Sequence, residues 1–308
     1  MTTVLITGGT GMIGNALTLA LLEKNYKVII LSRQTSNRQP KASNLSYALW
    51  DVAGQMIDKE AISTTDFIIH LAGAGVADQR WTKKRKQEII NSRVKSGELL
   101  VKSLQDITNK VKAVISASAI GWYGADPVIP NPKPFREDDP NDTTFLGETC
   151  KLWENSLEPV RKLGKRLVKL RTGIVLSKEG GALKEFKKPL RLGVAAILGD
   201  GKQVISWIHI DDLVRLYTAA IEDETLNGVY NAVAPKPVSN KELTLQLARI
   251  QKGNFFIPVY TPSFILKLVI GEMSIEILKS ATVSCEKIHY SGFTFLFPGI
   301  DAALKNLK

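Results

Sequence analysis

The stretch TGGTGMIGNAL, residues 7–17, joins a glycine-rich turn to the start of a helical pattern. It follows the apolar run Val4-Leu5-Ile6, so a buried strand is predicted over residues 3–7 and an amphipathic helix over 12–24. The residues between the two elements therefore form the first strand-to-helix turn of the chain.

Gly9, Gly11 and Gly14 match the spacing G-x-G-x-x-G, and Gly8 gives a variant of it. Between a strand and a helix, this spacing is typical of a dinucleotide site. Glycine permits the tight turn and the close approach of a pyrophosphate, which then meets the unpaired N–H groups of the helix N-terminus. Dinucleotide binding is the prediction, and a purely structural glycine turn is the alternative.

Strand and helix patterns then alternate along the chain, which predicts an α/β fold with a Rossmann-type, doubly wound parallel sheet. Further strands are predicted over 27–32, 66–73, 111–119 and 166–176, and helices over about 82–105 and over 150–164. After residue 176 the alternation of strand and helix patterns becomes less regular. We expect a nucleotide-binding domain over 1–235 with an inserted substrate-lobe segment at about 177–203, and a small C-terminal domain over 236–308 that completes the substrate lobe.

The composition and net charge bear on whether the protein binds nucleic acid. The chain has 308 residues, of which 44% are hydrophobic and 23% charged, and its net charge is +11. The densest basic cluster, residues 83–86, precedes a helical pattern and lacks interleaved aromatic residues. It is interpreted as a solvated helix face, with nucleic-acid binding as a minor alternative.

The two cysteines, Cys150 and Cys285, are too few for a disulfide framework, and no spacing of ligand residues indicates a metal. The N-terminus has no pattern of a signal peptide, so the cytoplasm is expected. The apolar stretch 263–278 is interrupted by charges, so no membrane partner is expected.

The end of the second predicted strand indicates which dinucleotide fits. NAD-selective sites place a carboxylate there, whereas this chain has Ser32 and Arg33. A guanidinium matches the 2′-phosphate of NADP(H), which a carboxylate would repel. NADP(H) is therefore predicted as the cofactor, with Arg38 as a second candidate for the role and an ordinary surface role for Arg33 as the alternative.

Taken together, several motifs resemble the epimerase-family branch of the atypical short-chain dehydrogenases/reductases, which is related to nucleotide-sugar epimerases. They include TGGTGMIG (7–14), SASAIGWYG (116–124), SWIHIDD (206–212) and GFTFLFP (292–298). The resemblance covers almost the whole chain. It implies an extended-type nucleotide-binding core, NADP(H), and an oxidoreductase or epimerase activity on an unidentified small carbonyl or sugar-like substrate.

The resemblance also implies roles for individual residues. Ser32 and Arg33 would lie at the 2′-phosphate, Asp51 at the adenine, and Ser118 at a substrate carbonyl or alcohol. The residues implied at the pyrophosphate are Gly8, Gly11, Met12, Ile13 and Gly14, and those beside the adenosine ribose are Leu71, Ala72 and Gly73. Each of these residues also has an ordinary structural interpretation, such as a strand end or a cap.

The chain departs from the superfamily pattern at the pair of residues that performs acid/base catalysis. The reductases and epimerases of the superfamily carry Tyr-x-x-x-Lys on the helix after the fifth strand, which here is the strand over 111–119, since the strand YALW before Asp51 is counted as well. In that pair the tyrosine is the acid/base, and the lysine lowers its pKa and bonds the nicotinamide ribose. Here the two positions hold Leu146 and Cys150. Lys151 is one residue away, which rotates it by about 100° on a helix.

Tyr123 is the candidate proton donor in place of the missing tyrosine, with loop packing as its alternative role, and Glu137 is a weaker candidate. His209 is interpreted as a core histidine bonded to the backbone. Two hypotheses follow: an NADP(H)-dependent oxidoreductase or epimerase with Ser118 and Tyr123 as catalytic residues, or a catalytically idle NADP(H)-binding protein that senses redox state or organises a partner.

Overall fold

The computed structural model describes residues 1–34 and 42–308. The strands are β1 (Thr3–Thr7), β2 (Lys27–Ser32), β3 (Leu45–Asp51), β4 (Met56–Ile57), β5 (Phe67–His70), β6 (Ala113–Ala119), β7 (Arg166–Thr172), β8 (Ile174–Ser177), β9 (Gly180–Gly181), β10 (Val194–Leu198), β11 (Val204–Ile205), β12 (Trp207–His209), β13 (Gly228–Ala232), β14 (Val238–Ser239) and β15 (Ile257–Thr261). Within these residues eight strands form one sheet, in the order β13-β7-β6-β5-β1-β2-β3-β4. All its pairs are parallel except β3 with β4.

Helices connect the strands and cover both faces of the sheet. They are α1 (Met12–Glu23), α2 (Lys59–Ser63), α3 (Lys83–Asp106), α4 (Phe145–Leu157), α5 (Pro159–Lys162), α6 (Ala182–Leu190), α7 (Ile210–Glu222), α8 (Asn240–Lys252), α9 (Ser263–Ile270), α10 (Ser274–Leu278), α11 (Glu286–Tyr290) and α12 (Ile300–Asn306), with 3₁₀ turns at Ile120–Trp122 and Gly271–Met273. The predicted Rossmann-type α/β architecture is confirmed. No helix in the described ranges is both long and apolar enough to span a membrane.

The central strand β1 shows why the apolar runs in the sequence are continuous. Val4 and Ile6 pack into the hydrophobic cluster on one face of the sheet, and Leu5 packs into the cluster on the other face. All three are fully buried. A parallel sheet covered on both faces needs apolar side chains in both directions, so its strands do not alternate with polar residues.

Two predicted elements differ from the structure by more than a few residues or by a break. The helix predicted over 150–164 begins at Phe145 and ends at Leu157, and α5 follows with Pro159 at its first position. Proline has no N–H to continue α4 but fits the first turn of a new helix. The strand predicted over 166–176 divides at Gly173, where a Cβ would lie 2.6 Å from the carbonyl oxygen of Ser206. β8 leaves the main sheet there and pairs with β12.

The C-terminal part of the chain packs against the segment after β8. β15 pairs with β10 in parallel, and β14 pairs with β11 in antiparallel. The turn at β9 also reaches the glycine-rich turn, since a Cβ on Gly181 would lie 3.3 Å from Met12 Cε. The division into 1–235, with its inserted segment 177–203, and 236–308 stays a prediction.

Asp212 joins two of the sequence motifs. This fully buried carboxylate accepts hydrogen bonds from the backbone N–H groups of Leu296 (2.7 Å) and Phe297 (2.9 Å). It also accepts one from Arg215 Nη1 at 3.2 Å. The SWIHIDD motif, at the start of α7, therefore holds the C-terminal GFTFLFP segment in place.

We predict that Asp212→Ala lowers the free energy of unfolding by about 2–3 kcal/mol, because two charge-assisted bonds to the backbone are lost. The exposed neighbour Asp211 is the matched control, and Asp211→Ala should cost less than about 1 kcal/mol, as expected for one acidic residue in a first helical turn. Urea denaturation of both variants measures the difference. Equal losses in the two variants would contradict the anchoring role.

Candidate functional site

The glycine-rich turn leads from β1 into α1 at the carboxyl edge of the sheet. Gly8 has φ +70°, and a Cβ there would lie 2.9 Å from the carbonyl carbon of Leu71. Gly14 is packed more closely still, since its Cβ would lie 2.4 Å from the carbonyl oxygen of Gly8. Neither position accepts a side chain without a shift of the backbone, which keeps the turn and the first helical turn tightly packed.

The N-terminus of α1 is open to an anion. Its N-cap is Gly11, which supplies no side-chain hydrogen bond, and no acidic residue lies in the first turn. The first N–H groups of a helix have no partner within it, and the helix dipole favours negative charge there. The backbone around Gly8, Gly11, Met12, Ile13 and Gly14 thus fits a dinucleotide pyrophosphate, and contact of each residue with one stays a prediction.

At the end of β2, Ser32 is buried and Arg33 is exposed. The Ser32 hydroxyl donates to the carbonyl oxygen of Gln34 at 2.8 Å. Arg33 forms no ion pair with any residue in the described ranges, so its guanidinium is available to a ligand. Arg38, the second candidate, lies outside the described residues.

Asp51 and the segment Leu71-Ala72-Gly73 border the same edge of the sheet. Asp51 lies at the end of β3, and its Oδ1 accepts a hydrogen bond from the N–H of Ala53 at 2.9 Å. The backbone N–H groups of Leu71 and Ala72 both lie within hydrogen-bond distance of Thr7 Oγ1, at 3.1 and 3.2 Å. Thr7 thereby fixes the loop after β5 against the glycine-rich turn.

Ser118, near the end of β6, is 3% exposed, and its hydroxyl donates to Glu154 Oε1 at 2.7 Å. Glu154, on α4, is equally buried and accepts from Arg171 Nε at 2.8 Å. Lys169 Nζ lies 3.3 Å from its other oxygen. Burial by itself would raise the pKa of Glu154, but the hydrogen bond and charge of Arg171, together with Lys169, hold that pKa below its ordinary value.

Tyr123 belongs to the same network. Its side chain is fully buried, its hydroxyl donates to Asn231 Oδ1 at 2.7 Å, and that hydroxyl accepts from Arg171 Nη1 at 3.1 Å. Burial raises the pKa of Tyr123 to about 12, against the opposing influence of Arg171. Glu137 also belongs to this hydrogen-bond network, because its Oε1 accepts a hydrogen bond from the N–H of Asn231 at 2.7 Å. Catalytic roles for Ser118 and Tyr123 stay predictions, and both hydroxyls are engaged inside the protein.

Leu146 and Cys150, which the resemblance aligns with the Tyr-x-x-x-Lys pair, lie on α4 beside the turn after β6. A Cβ on Gly121, in the turn after β6, would lie 3.3 Å from Leu146 Cβ and 3.7 Å from Cys150 Sγ. Burial raises the pKa of the Cys150 thiol to about 12. Lys151 is turned away to the exposed face, where its Nζ lies 3.8 Å from Glu148 Oε1. No proton-transferring side chain therefore occupies either position.

Sequence reasoning missed Arg93 on α3. Its Nη1 donates to the carbonyl oxygen of Ala74 at 3.0 Å, and a Cβ on Gly73 would lie 3.1 Å from its Cζ. Its neighbour His70 is fully buried, and burial, together with the charge of Arg93, lowers the pKa of that histidine to about 3. In the sequence, Arg93 is one cation in a strongly basic helix, and no spacing distinguishes it from the exposed ones.

The basic cluster at the start of α3 is only partly the solvated face that we expected. Lys83 and Lys84 are exposed, but Arg85 is 6% exposed and donates from Nη2 to the carbonyl oxygen of Gly75 at 2.6 Å. The interpretation of His209 is confirmed: it is fully buried, and its Nδ1 accepts from the N–H of Asp211 at 3.1 Å.

Comparison with known proteins gives two family matches along the chain. Residues 4–232 match the NAD dependent epimerase/dehydratase family, and residues 261–307 match a domain of unknown function, DUF1731. The chain is 34% identical over 305 residues to the epimerase family protein YfhF of Bacillus subtilis, covering 99% of this chain and 97% of that one. It is 36% identical over 304 residues to the epimerase family protein SSP1921 of Staphylococcus saprophyticus, covering 98% of each.

Among solved structures, the human epimerase family protein SDR39U1 with NADPH aligns with a TM-score of 0.86 and 29% identity, covering 99% of both chains. UDP-glucuronic acid 4-epimerase from Bacillus cereus, in complex with UDP-glucuronic acid and NAD, aligns with a TM-score of 0.80. At 20% identity over 99% of this chain and 98% of that one, the second likeness shows the fold alone.

We predict that Glu154→Gln lowers the free energy of unfolding by about 3–5 kcal/mol at pH 7, because Arg171 and Lys169 would lose their buried partner. The Glu154 pKa is depressed in the folded state, so its contribution is complete above the ordinary value of 4.5 and is lost as the pH falls through the lower folded value. The difference between wild type and variant should therefore be constant above about pH 5 and shrink in acid.

Urea denaturation at pH 7, 5 and 3 measures this difference. Glu158→Gln is the control, because Glu158 is more exposed but also pairs with Lys169. Its effect should be below about 1 kcal/mol. A Glu154→Gln loss no larger than that of the control would contradict the network's role in holding α4 on the sheet.

Proposed function

Since the chain belongs to the NAD dependent epimerase/dehydratase family, we propose that it binds NADP(H) and acts as an oxidoreductase or epimerase on a small carbonyl or sugar-like substrate. The observation that carries the proposal is the close-packed turn at Gly8 and Gly14, which ends at an uncapped helix N-terminus. That arrangement leaves backbone N–H groups for a pyrophosphate and no room for a side chain between them.

Two observations support NADP(H) over NAD(H). The end of β2 carries Ser32 and the exposed Arg33 instead of a carboxylate, and neither of these two residues repels a 2′-phosphate. The human relative that aligns over 99% of both chains was solved with NADPH. A small-molecule substrate, a cytoplasmic location and the absence of nucleic-acid and membrane partners are proposed alongside, on composition and motifs alone.

NADP(H), when bound, supplies the hydride donor or acceptor, and the chain has to place the substrate and move a proton. Ser118 and Tyr123 are the candidate groups for a substrate oxygen in the proposed enzyme. To reach it, Ser118 has to leave Glu154, and Tyr123 has to leave Asn231. The raised pKa of Tyr123 further disfavours the tyrosinate form at neutral pH. We therefore propose a slow enzyme.

The second candidate function is a catalytically idle NADP(H)-binding protein that senses redox state or organises a partner. It is favoured by Leu146 and Cys150, which occupy the positions of the Tyr-x-x-x-Lys pair. Neither side chain can exchange a proton near neutral pH. Both functions require the nucleotide site, so turnover, and not NADP(H) binding, separates them.

We predict that the protein binds NADPH at least tenfold more tightly than NADH, a difference of about 1.4 kcal/mol that a charge-assisted phosphate contact can supply. Arg33→Ala should remove most of this preference. Lys27→Ala is the matched control, because Lys27 is an exposed cation at the opposite end of β2. Titration calorimetry of the three proteins with both nucleotides tests the assignment, and equal wild-type affinities for NADPH and NADH would refute it.

A fourth prediction concerns the proton donor. If Tyr123 donates, Tyr123→Phe should slow NADPH oxidation with a panel of carbonyl compounds by about 10²-fold, since a positioned acid/base typically contributes 10²–10⁴-fold. NADPH affinity should be unchanged, because the ring and its packing are kept. An unchanged rate would assign the phenol to the buried network alone.

Leu146→Tyr combined with Cys150→Lys restores the superfamily pair and shows whether the pocket presents a substrate at all. A rise in NADPH oxidation relative to the wild type supports the enzyme. If neither wild type nor the double variant turns over any carbonyl or sugar-nucleotide substrate while both bind NADPH, the idle binding protein is the better account.

A further inference from the structure

The surface around strand β15 and helix α9 is rich in exposed apolar side chains. Among the described residues, 21 large hydrophobic residues are exposed, and 11 of them belong to this surface. Single exposed apolar residues are ordinary, whereas a cluster of this size marks an interaction site. We call it the C-terminal apolar surface, and its residues are Leu192, Phe255, Ile257, Val259, Tyr260, Phe264, Ile265, Leu268, Val269, Ile275 and Ile277.

Helix α9 supplies part of this surface. Its sequence is SFILKLVI, and none of its eight residues is buried. A helix that is apolar around most of its circumference normally lies inside a protein, and one this short is not stable alone in water. The position of α9 is nevertheless fixed, because Arg80 Nη2 donates to the carbonyl oxygen of Leu268 at 2.6 Å, and Lys86 pairs with Glu272 in the next turn. The helix is therefore held in place with its apolar side chains uncovered.

The two-stranded sheet of β10 and β15 supplies the other part. On one face, Ala195 and Ile197 are fully buried, and Ala195 belongs to the hydrophobic cluster that includes α6 and α8. Side chains alternate along a strand, so the register of the pair places a second set of residues on the opposite face. They are Val194, Ala196, Leu198, Ile257, Val259 and Thr261. None of these residues is buried, so this face of the sheet lacks a cover.

The free edge of β15 is unsuited to binding a further strand. The N–H of Ile257 donates to the carbonyl oxygen of Gly193 at 2.8 Å, so Ile257 directs its backbone groups toward the β10 segment. The alternate residues Pro258 and Tyr260 therefore direct theirs toward the free edge. Proline has no N–H to donate, and it is a common protection of sheet edges. A partner is thus expected to pack on the face of this sheet, and not to extend it.

The size of the C-terminal apolar surface matches one half of a stable protein interface. Eleven side chains of this kind, at roughly 100 Å² of apolar area each, expose on the order of 1,000 Å². The largest apolar patch on a typical monomer is about 300–600 Å². A standard interface buries about 800 Å² on each partner. The surface therefore exceeds what a monomer usually exposes and is large enough for a dimer.

We propose that the C-terminal apolar surface binds a second copy of this chain in a two-fold dimer, in which α9 of each copy covers the β10–β15 face of the other. The helix lacks a surface to pack on and the sheet face lacks a cover, and each supplies what the other needs. A helix packed on a sheet is a standard layer arrangement, and a two-fold axis repeats the contact.

The charges around this surface predict how the dimer responds to salt. Residues 249–271 contain three cations, Arg249, Lys252 and Lys267, and no acidic residue, and each copy has a net charge of +11. Two copies therefore repel each other, and salt screens that repulsion, so the dimer should be tighter at high ionic strength. Docking on an anionic lipid surface would use the same cations and would weaken with salt instead.

Sedimentation velocity of the full chain tests the proposal. At about 50 µM, the wild type should be dimeric in about 500 mM NaCl and more dissociated in about 50 mM. Phe264→Glu combined with Leu268→Glu should be monomeric in both, because the dimer would bury two unpaired charges. Leu152→Glu is the matched control, since it places a charge on an exposed leucine of α4 and should stay dimeric.

A mixing experiment tests the contact between helix and sheet. Ile257→Lys combined with Val259→Lys should also be monomeric alone, because it charges the sheet face. Mixed in equal amounts with the Phe264→Glu, Leu268→Glu variant, it should form a heterodimer. One helix–sheet contact then carries opposite charges and the other is unaltered, whereas neither variant can pair with itself.

Thermal unfolding identifies a variant that fails to fold, and in that case Phe264→Ser combined with Leu268→Ser repeats the comparison. A wild type that is monomeric in both salt concentrations would overturn the proposal. So would a dimer that survives the two glutamates, a dimer that Leu152→Glu dissociates, or a mixture that stays monomeric. A monomer that sediments with phosphatidylserine vesicles at low salt and is released at high salt would assign the surface to lipid instead.

Discussion

The contact between Gly14 and the backbone of Gly8 and Gly9 is the constraint on which the architecture of the site depends. A Cβ at Gly14 would lie 2.4 Å from one carbonyl oxygen and 2.5 Å from the Cα of Gly9, distances that no side chain tolerates. Because the helix can approach the strand this closely, the N-terminus of α1 opens at the carboxyl edge of the sheet. The ends of β2, β5 and β6 meet at that same edge, as parallel pairing requires.

A second close-packed region lies at the end of β6, beside the positions of the missing Tyr-x-x-x-Lys pair. In this chain the ion pair between Glu154 and Arg171 engages both candidate hydroxyls, those of Ser118 and Tyr123. Removing one partner of a buried ion pair costs far more than an exposed pair is worth. The residues nearest to the expected chemistry therefore also stabilise the fold, which limits how freely they can exchange partners with a substrate.

Local patterns in the sequence were sufficient to predict the parallel sheet and the glycine-rich turn. Each of these features depends on residues within one strand, one turn or one helix. The same is true of Leu146 and Cys150, which replace the Tyr-x-x-x-Lys pair on a single helix. The Glu154–Arg171 pair and the position of Arg93 could not be predicted in this way, because their partners come from different helices, strands and loops. Arg85 shows the same limit: its basic neighbours suggest a solvated face, and only the fold places it against Gly75.

A crystal structure of the protein with NADPH tests directly whether the glycine-rich turn holds the pyrophosphate of the cofactor. We expect the pyrophosphate at the N-terminus of α1 and the 2′-phosphate beside Ser32 and Arg33. The nicotinamide should face the turn after β6, against Leu146 and with no tyrosine or lysine of α4 in contact. A pyrophosphate bound away from the glycine-rich turn, or a nicotinamide that points out of the cleft, would contradict it.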